Sequence, residues 1–239
     1  MRSVAINVGA NTNEPGFRGP VFPDGSFEYI PIPESEPTAE PVPTYADLDL
    51  ETDVSAVADR PVHFDPEFPE AGGDRYTYGD EHGVKAGPLS ELSAGDYLFF
   101  YATLSTVGEG AVWAPPEWGA YVVGHFCLAR DAVTGEGYRE LSAEEQAVFD
   151  SNAHVKRESV DARVLVLGDP AASQLYETVV PLSTPDGGTE ANHLVTDLSS
   201  DSGKGPWWRR PMRFDEAGTE RLLALATAPP ASAAGETGE

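Results

Sequence analysis

Three apolar runs set the limits on what this chain can become: "YLFFYAT" at 97–103, "AYVVGHFCLA" at 120–129 and "DARVLVLGD" at 161–169. Each is strand-length, rich in β-branched and aromatic residues, and bounded by turn residues such as Gly95-Asp96. Weaker strands are read at Val4–Val8, at "TVVPLS", and at Phe27–Ile32, where Pro31 and Pro33 confine the segment to an edge. Helical signals are fewer. "SAEEQAVFD" carries Ser142 as N-cap with Glu145 at the capping-box position, "PAASQLY" reads as a helical turn, and "RFDEAGTERLLALAT" closes the pattern. No strand–helix–strand alternation appears. The expectation is an α+β fold with a mixed, mostly antiparallel sheet, or a barrel, interrupted by long irregular insertions. Residues 1–226 are read as a single domain and 227–239 as a disordered acidic tail. Residues 34–45, acidic and proline-rich, read as an exposed extended connection.

Charge narrows the setting. There are 40 acidic residues against 15 basic, a formal charge of −25, and the lysines are Lys85, Lys156 and Lys204 alone. The acids are scattered, so a solvent explanation fits better than one basic partner: dense carboxylates hold water, and concentrated salt screens their repulsion. Salt also weakens phosphate attraction, so net charge does not exclude a nucleic-acid ligand. Cys127 is the one cysteine, which rules out a disulfide within the chain and a cysteine-rich zinc site. No window reaches membrane-spanning length, and the start lacks a basic segment followed by an apolar one, so no membrane span and no secretory signal are expected and the location is read as cytoplasmic.

Five polar groupings could carry chemistry. In the opening loop, Asn7, Asn11, Asn13, Arg18 and Asp24 either shape turns or present donors; Arg18 offers a planar fork to a phosphate or base edge. His63-Phe64-Asp65-Pro66 places an imidazole and a carboxylate on one face if extended, as for an acid/base pair, with His82 nearby. A metal is not expected, because the spacing matches no zinc motif and two ligand types fall short of a coordination shell. His125, inside an apolar strand, reads as a hydrogen-bonded core residue. "SNAHVKRE" offers Asn152, His154, Lys156 and Arg157, the first three sharing a face if strand-like. "GPWWRRP" sets Trp207 and Trp208 beside Arg209 and Arg210; bases stack on such rings and guanidiniums hold phosphates. Seven of the 15 basic residues fall between 156 and 213, so a locally positive pocket is plausible on an acidic body. The loop at 203–206 is not a Walker loop, and no nucleophile elbow, zincin or dinucleotide fingerprint occurs.

Taken in order, "FRGPVFPDGSFEYIPIPE", "YADL", "HFDPEF", "LSAGDYLFFYA", "WGAYVVGHF" and "NAHV" resemble the nucleotide modification associated domain 3 family across residues 4–215. The resemblance implies a link to systems that make or handle modified bases in DNA, and it places Arg18, Asp24, His63, Asp65, His125, Asn152 and His154 at the family's polar positions. The chain departs from the pattern in "NAH", where a proline is common, and in acids that replace basic residues. The pair "AGDYLFFY" and "AYVVGHFCLARDAV" also looks like the central strands of PUA-like domains, including the EVE and ASCH groups, which implies a barrel cleft for a modified base. The expected function is recognition or modification of a modified nucleotide or base in DNA, associated with base-modification or anti-phage systems. His63, Asp65 and His154 are assigned to chemistry, and Asn11, Arg18, Asn152, Lys156, Arg157, Trp207, Trp208 and Arg209 to binding. No cofactor is expected, and the expected partners are modified DNA or a nucleotide, with partner proteins of a modification system possible. The alternatives are an enzyme acting on a free nucleotide or sugar and a non-catalytic partner subunit.

Overall fold

In the computed structural model, which describes residues 1–230, the first apolar run is the start of a ten-residue strand at the middle of the main sheet. In chain order the strands are β1 (Ser3–Asn7), β2 (Pro20–Val21), β3 (Ile32–Pro33), β4 (Val62–His63), β5 (Thr77–Asp80), β6 (Tyr97–Thr106), β7 (Trp118–Cys127), β8 (Val133–Thr134), β9 (Val164–Leu167), β10 (Gln174–Pro181), β11 (Ser183–Thr184), β12 (Gly187–Ala191) and β13 (Met212–Phe214). The α-helices are α1 (Gly83–Leu89), α2 (Gly135–Glu140), α3 (Ala143–Gln146), α4 (Ala153–Lys156), α5 (His193–Thr196) and α6 (Glu216–Leu225).

The main sheet runs β10–β7–β6–β1–β13, with β2 added to the far end of β6. All its pairings are antiparallel except those of β6 with β1 and with β2. Smaller ladders join β3 to β4, β11 to β12, and β5 to β9 to β8. This is the expected α+β architecture, but none of the sheets closes into a barrel. The reason lies in β6. Leu98, Phe100, Ala102 and Leu104 pack into one buried cluster, with Phe68 and Phe126. Phe99 and Tyr101 pack into another, with Trp207, Leu194 and Leu222. A strand buried on both faces reads as a continuous apolar run, and segments outside the sheet cover the faces instead of strands curling round.

Other expectations shift locally. "PAASQLY" is a turn only through Ala172; Gln174, Leu175 and Tyr176 already belong to β10. The edge segment at 27–32 is paired as a strand only from Ile32, where β3 meets β4 with Ile32 opposite His63. Residues 34–45 are mostly exposed, yet Glu34 is buried. A small core of Ala10, Ile30, Tyr45, Val62 and Phe64 lies beneath this irregular region. Residues 231–239 of the expected tail lie outside the described residues. Among the described residues no helix is long and apolar enough to cross a membrane.

Asp96 fastens the chain's first strand to the sheet. Its Oδ1 accepts Arg2 N at 3.1 Å, and its Oδ2 accepts Ser93 N at 3.1 Å and Arg2 Nε at 3.1 Å. Burial pushes the carboxyl up, but the hydrogen bonds from Ser93 and Arg2 outweigh it and hold it below its ordinary range. Its stabilisation is therefore complete above about pH 4 and fades as pH falls through the depressed value. Asp96→Asn is expected to lower unfolding free energy by about 1–2 kcal/mol near neutrality. Denaturant titrations should show the gap from wild type narrowing below about pH 4.

Candidate functional site

The cleft is assembled where the end of β1, the β3–β4 ribbon, β5 and the short helix α4 meet. It encloses about 240 Å³, and its walls include Asn7, Asn11, His63, Asp65, Asp80, Glu81, Lys85, His154 and Arg157. Residues 62–68 are buried without a break, so His63 and Asp65 are held inside although the stretch has little regular structure.

Each polar side chain in the cleft is oriented by others. Glu34 Oε2 receives the Nδ1–H of His63 at 2.5 Å. Its Oε1 receives Arg157 Nη2 at 2.9 Å and the backbone N–H groups of Ser35 and Glu36 at 2.9 and 2.8 Å. Burial raises the Glu34 carboxyl, but the hydrogen bonds from His63 and Arg157 outweigh it and hold it at about 2. Asp65 Oδ1 is occupied by Gly79 N at 2.7 Å and Asn152 Nδ2 at 3.1 Å. Its Oδ2 is left facing His154 Nε2 at 3.6 Å and His63 Nε2 at 4.0 Å.

Asn152 is the N-cap of α4. Its Oδ1 accepts His154 N at 3.1 Å while its amide reaches Asp65 and, at 3.2 Å, Thr77 Oγ1. Thr77 and Ser151 hydroxyls in turn donate to Glu67. His154 gives Nδ1–H to Asp161 Oδ1 at 2.8 Å. Burial lowers the His154 pKa, but the hydrogen bonding and charge of Asp65, with Asp161, outweigh it and raise it to about 9. The pocket favours positive charge at this ring.

Arg157 closes the group. Its Nη1 donates to Glu81 and to Asp161 at 2.5 Å each; burial lowers its pKa, but Glu34 first, then Asp161 and Glu81, outweigh it and raise it above the ordinary value. Asp80 is raised by burial, partly offset by Lys85, whose Nζ lies 3.8 Å away and donates to Asn7 O at 3.0 Å. Two sets of ligand-type groups lie within 4.8 Å of one another: His63, Asp65 and His154, and Glu81, His154 and Asp161, the second already bridged by Arg157 Nη1.

A second hollow, about 130 Å³, opens beside the cleft. Asn7, Asn11, Thr12, Asn13, Arg18, Thr103, Trp208 and Arg209 line it. Asn7 and Asn11 belong to both. Arg18 lies over the Trp118 ring at 4.5 Å, and Trp208 meets the same ring edge-on at 5.4 Å. Burial lowers the Arg18 pKa, and its buried Nε has no hydrogen-bond partner.

His63, Asp65, Asn152, His154 and Arg157 therefore come together, with Asn152 supporting rather than lining the cleft. Asn11 stands between the two hollows. Trp208, Arg209 and Arg18 form the second hollow. Lys156 does not join: 153–156 is a helical turn, not a strand, so alternation fails, and Lys156 lines a different small cavity. Trp207 is fully buried with Nε1–H donated to Thr189 O at 2.8 Å, so it is core. His82 sits at the exposed rim beside Glu81. Asp24 is a turn residue that accepts Ser26 N and Oγ.

His125 is the core residue expected. Nε2–H reaches Ala172 O at 3.0 Å, Nδ1 is 2.8 Å from the Tyr176 hydroxyl, and burial lowers its pKa to about 4. Glu34, Glu81, Asp161, Asp80 and Lys85 were not singled out from the sequence. Among 40 acids no pattern separates buried Glu34 from its neighbours Glu36 and Glu40.

The family model for nucleotide modification associated domain 3 matches residues 2–224, nearly the whole chain. The chain belongs to this family, whose description ties it to nucleotide modification. No curated protein and no solved structure matches it.

Gly79 marks how tightly the centre is packed. A Cβ there would stand 2.7 Å from His154 Cδ2 and 2.9 Å from Asn152 Oδ1. Gly79→Ala is expected to cost about 1–3 kcal/mol in denaturant unfolding. It should also shift the His154 ring resonances, whereas Gly87→Ala, which meets nothing within 4 Å, should leave them in place.

Proposed function

We propose that this member of the nucleotide modification associated domain 3 family binds a nucleotide, or a base turned out of DNA, across the two joined hollows, and recognises or modifies it there. The observation that supports this reading most is the shared wall. Asn7 and Asn11 border both a cation-and-indole hollow and a carboxylate–imidazole cleft. The two halves suit the two parts of a nucleotide. Trp208 offers a face for a base, and the Arg18 and Arg209 guanidiniums offer donors to phosphate oxygens or a base edge. Arg18 Nε is buried without a partner, and an anion or a base acceptor would relieve that cost. Asn side chains pair donor and acceptor, as a base edge requires.

In the cleft, His154 is positioned as a general acid, since its raised pKa keeps a proton available at neutral pH. His63, whose Nδ1–H is committed to Glu34, presents Nε2 as an acceptor. A hollow of this size accepts one residue of a strand, which fits a single flipped nucleotide better than a duplex groove. In the concentrated salt that the acidic surface suits, such recognition rests on stacking and hydrogen bonds more than on long-range attraction.

The test is equilibrium binding at molar salt. The probes are mononucleotides and short oligonucleotides with an unmodified base, a 5-substituted cytosine or an N6-substituted adenine. Arg18→Ala and Trp208→Ala are each expected to weaken binding by roughly tenfold or more, with the melting temperature little changed. Preference for a modified over an unmodified oligonucleotide supports the DNA-base reading; equal binding and turnover of the mononucleotide moves the substrate to the free nucleotide. Absence of binding by every probe, or unchanged binding by both variants, overturns the proposal.

A further inference from the structure

We propose that His63, Asp65 and His154 form a binding site for one divalent first-row transition-metal ion, with coordination positions left open toward the cleft. This deepens the reading above, because the ion would face the same cleft, but its test needs no nucleotide, so the two can fail separately.

The geometry carries it. The two imidazole rings stand nearly perpendicular, 87° apart with centroids 4.9 Å from each other. Their Nε2 atoms and Asp65 Oδ2 converge: 3.6 Å separates Oδ2 from His154 Nε2 and 4.0 Å separates it from His63 Nε2. An ion held at about 2.1 Å by each donor would set neighbouring donors roughly 3.0–3.4 Å apart. The three donor atoms all lie within 4.8 Å of one another, so side-chain movements of up to about an ångström bring them into one shell. Apart from the longer approaches of Asp65 Oδ2 itself, neither Nε2 has a hydrogen-bond partner among the described residues, and the side chains of all three residues are 4–5 % exposed, facing the cleft.

The surroundings are those of a metal site rather than of a chance cluster. Each histidine gives its other ring N–H to a carboxylate, His63 to Glu34 and His154 to Asp161. That orients each Nε2 toward the cleft; on binding, the ion displaces the Nε2 proton of His154, which leaves to solvent, so the acid role proposed above belongs to the ion-free cleft alone. Asp65 is held through Oδ1 by Gly79 N and Asn152 Nδ2, which leaves Oδ2 as a single oriented donor. Five carboxylates, Glu34, Asp65, Asp80, Glu81 and Asp161, surround the imidazoles, against Arg157 and Lys85 as permanent cations. A divalent ion offsets this excess, and it would let a phosphate or other anionic group approach a cleft that otherwise repels it.

The donor set narrows the ion. Two imidazoles and one carboxylate suit iron(II), manganese, cobalt or zinc, whereas magnesium and calcium take oxygen ligands. Three protein ligands leave room for water or substrate, the pattern of reactive rather than structural centres. The competing group, Glu81, His154 and Asp161, does not suit a cation. Arg157 Nη1 already donates to both Glu81 and Asp161, so a guanidinium sits where the ion would be.

The test uses the metal alone. Full-length protein is stripped with a chelator and titrated with Co²⁺, followed by visible absorption, and with Mn²⁺ and Zn²⁺, followed by calorimetry. One ion per chain and a rise in melting temperature on loading are expected for wild type. Asp65→Asn keeps an oxygen for Gly79 and Asn152 but turns an amide toward the cleft. It should fold, as checked by circular dichroism, and bind at least tenfold more weakly. His63→Gln should behave in the same way, and Glu81→Gln should still bind one ion. Substoichiometric uptake by wild type, or an affinity unchanged in Asp65→Asn and lost in Glu81→Gln, would overturn the assignment.

Discussion

The cleft depends on one buried charge. Glu34, its side chain 2 % exposed, is reached from three directions: by the His63 ring, by the Arg157 guanidinium and by the two backbone amides that follow it. Removing a carboxylate from water is costly unless nearly every lone pair finds a donor, and here they do. The gain is less in net stability than in geometry. Glu34 lies 29 residues from His63 and 123 from Arg157 along the chain. Through Arg157 the same charge is tied to Asp161 and Glu81, and through Asp161 to His154. Two imidazoles from distant segments are thus aimed at one point by a continuous set of charge-assisted hydrogen bonds.

Around that set the body of the protein supplies rigidity. Asp65 and Asn152 are held against β5 through Gly79 N and Thr77 Oγ1, and β5 is laddered to β9. Asn7, at the end of β1, is fixed by its parallel register opposite Tyr101 of β6. The irregular region between β3 and β5 has a small core of its own, so it acts as a wall and not as a loose strap. The cationic hollow is built separately, on Trp118 at the start of β7, which explains how a chain of such negative charge keeps guanidiniums near its acidic cleft without neutralising it.

The sequence made the sheet readable wherever burial leaves a continuous apolar run, as in β6, β7 and β9. It made His63, Asp65, Asn152, His154 and Arg157 readable because imidazoles and cations are scarce in this chain and these fall close together. It did not make Glu34 or Asp161 readable, since one acid among many carries no local mark of burial. Lys156 departs from the expected alternation because the asparagine cap turns its segment into a helix. Trp207 and Trp208 are adjacent and identical, and only packing decides that the first joins the core while the second borders a hollow. The barrel expectation failed because short motifs report strands but not whether a sheet's second face is already covered.

The place of β1 has a consequence for how the chain comes to be. This segment is synthesised well before β6 and β13, yet it lies between them. Its partners are absent when it is made, and pairings of such sequence separation are slow to form. Because Asn7 and the loop beyond it wall both hollows, neither hollow is complete before β6 has been made and paired with β1. The order of synthesis thus separates the walls made early, at Asn7 and Asn11, from those made late, at His154 and Trp208.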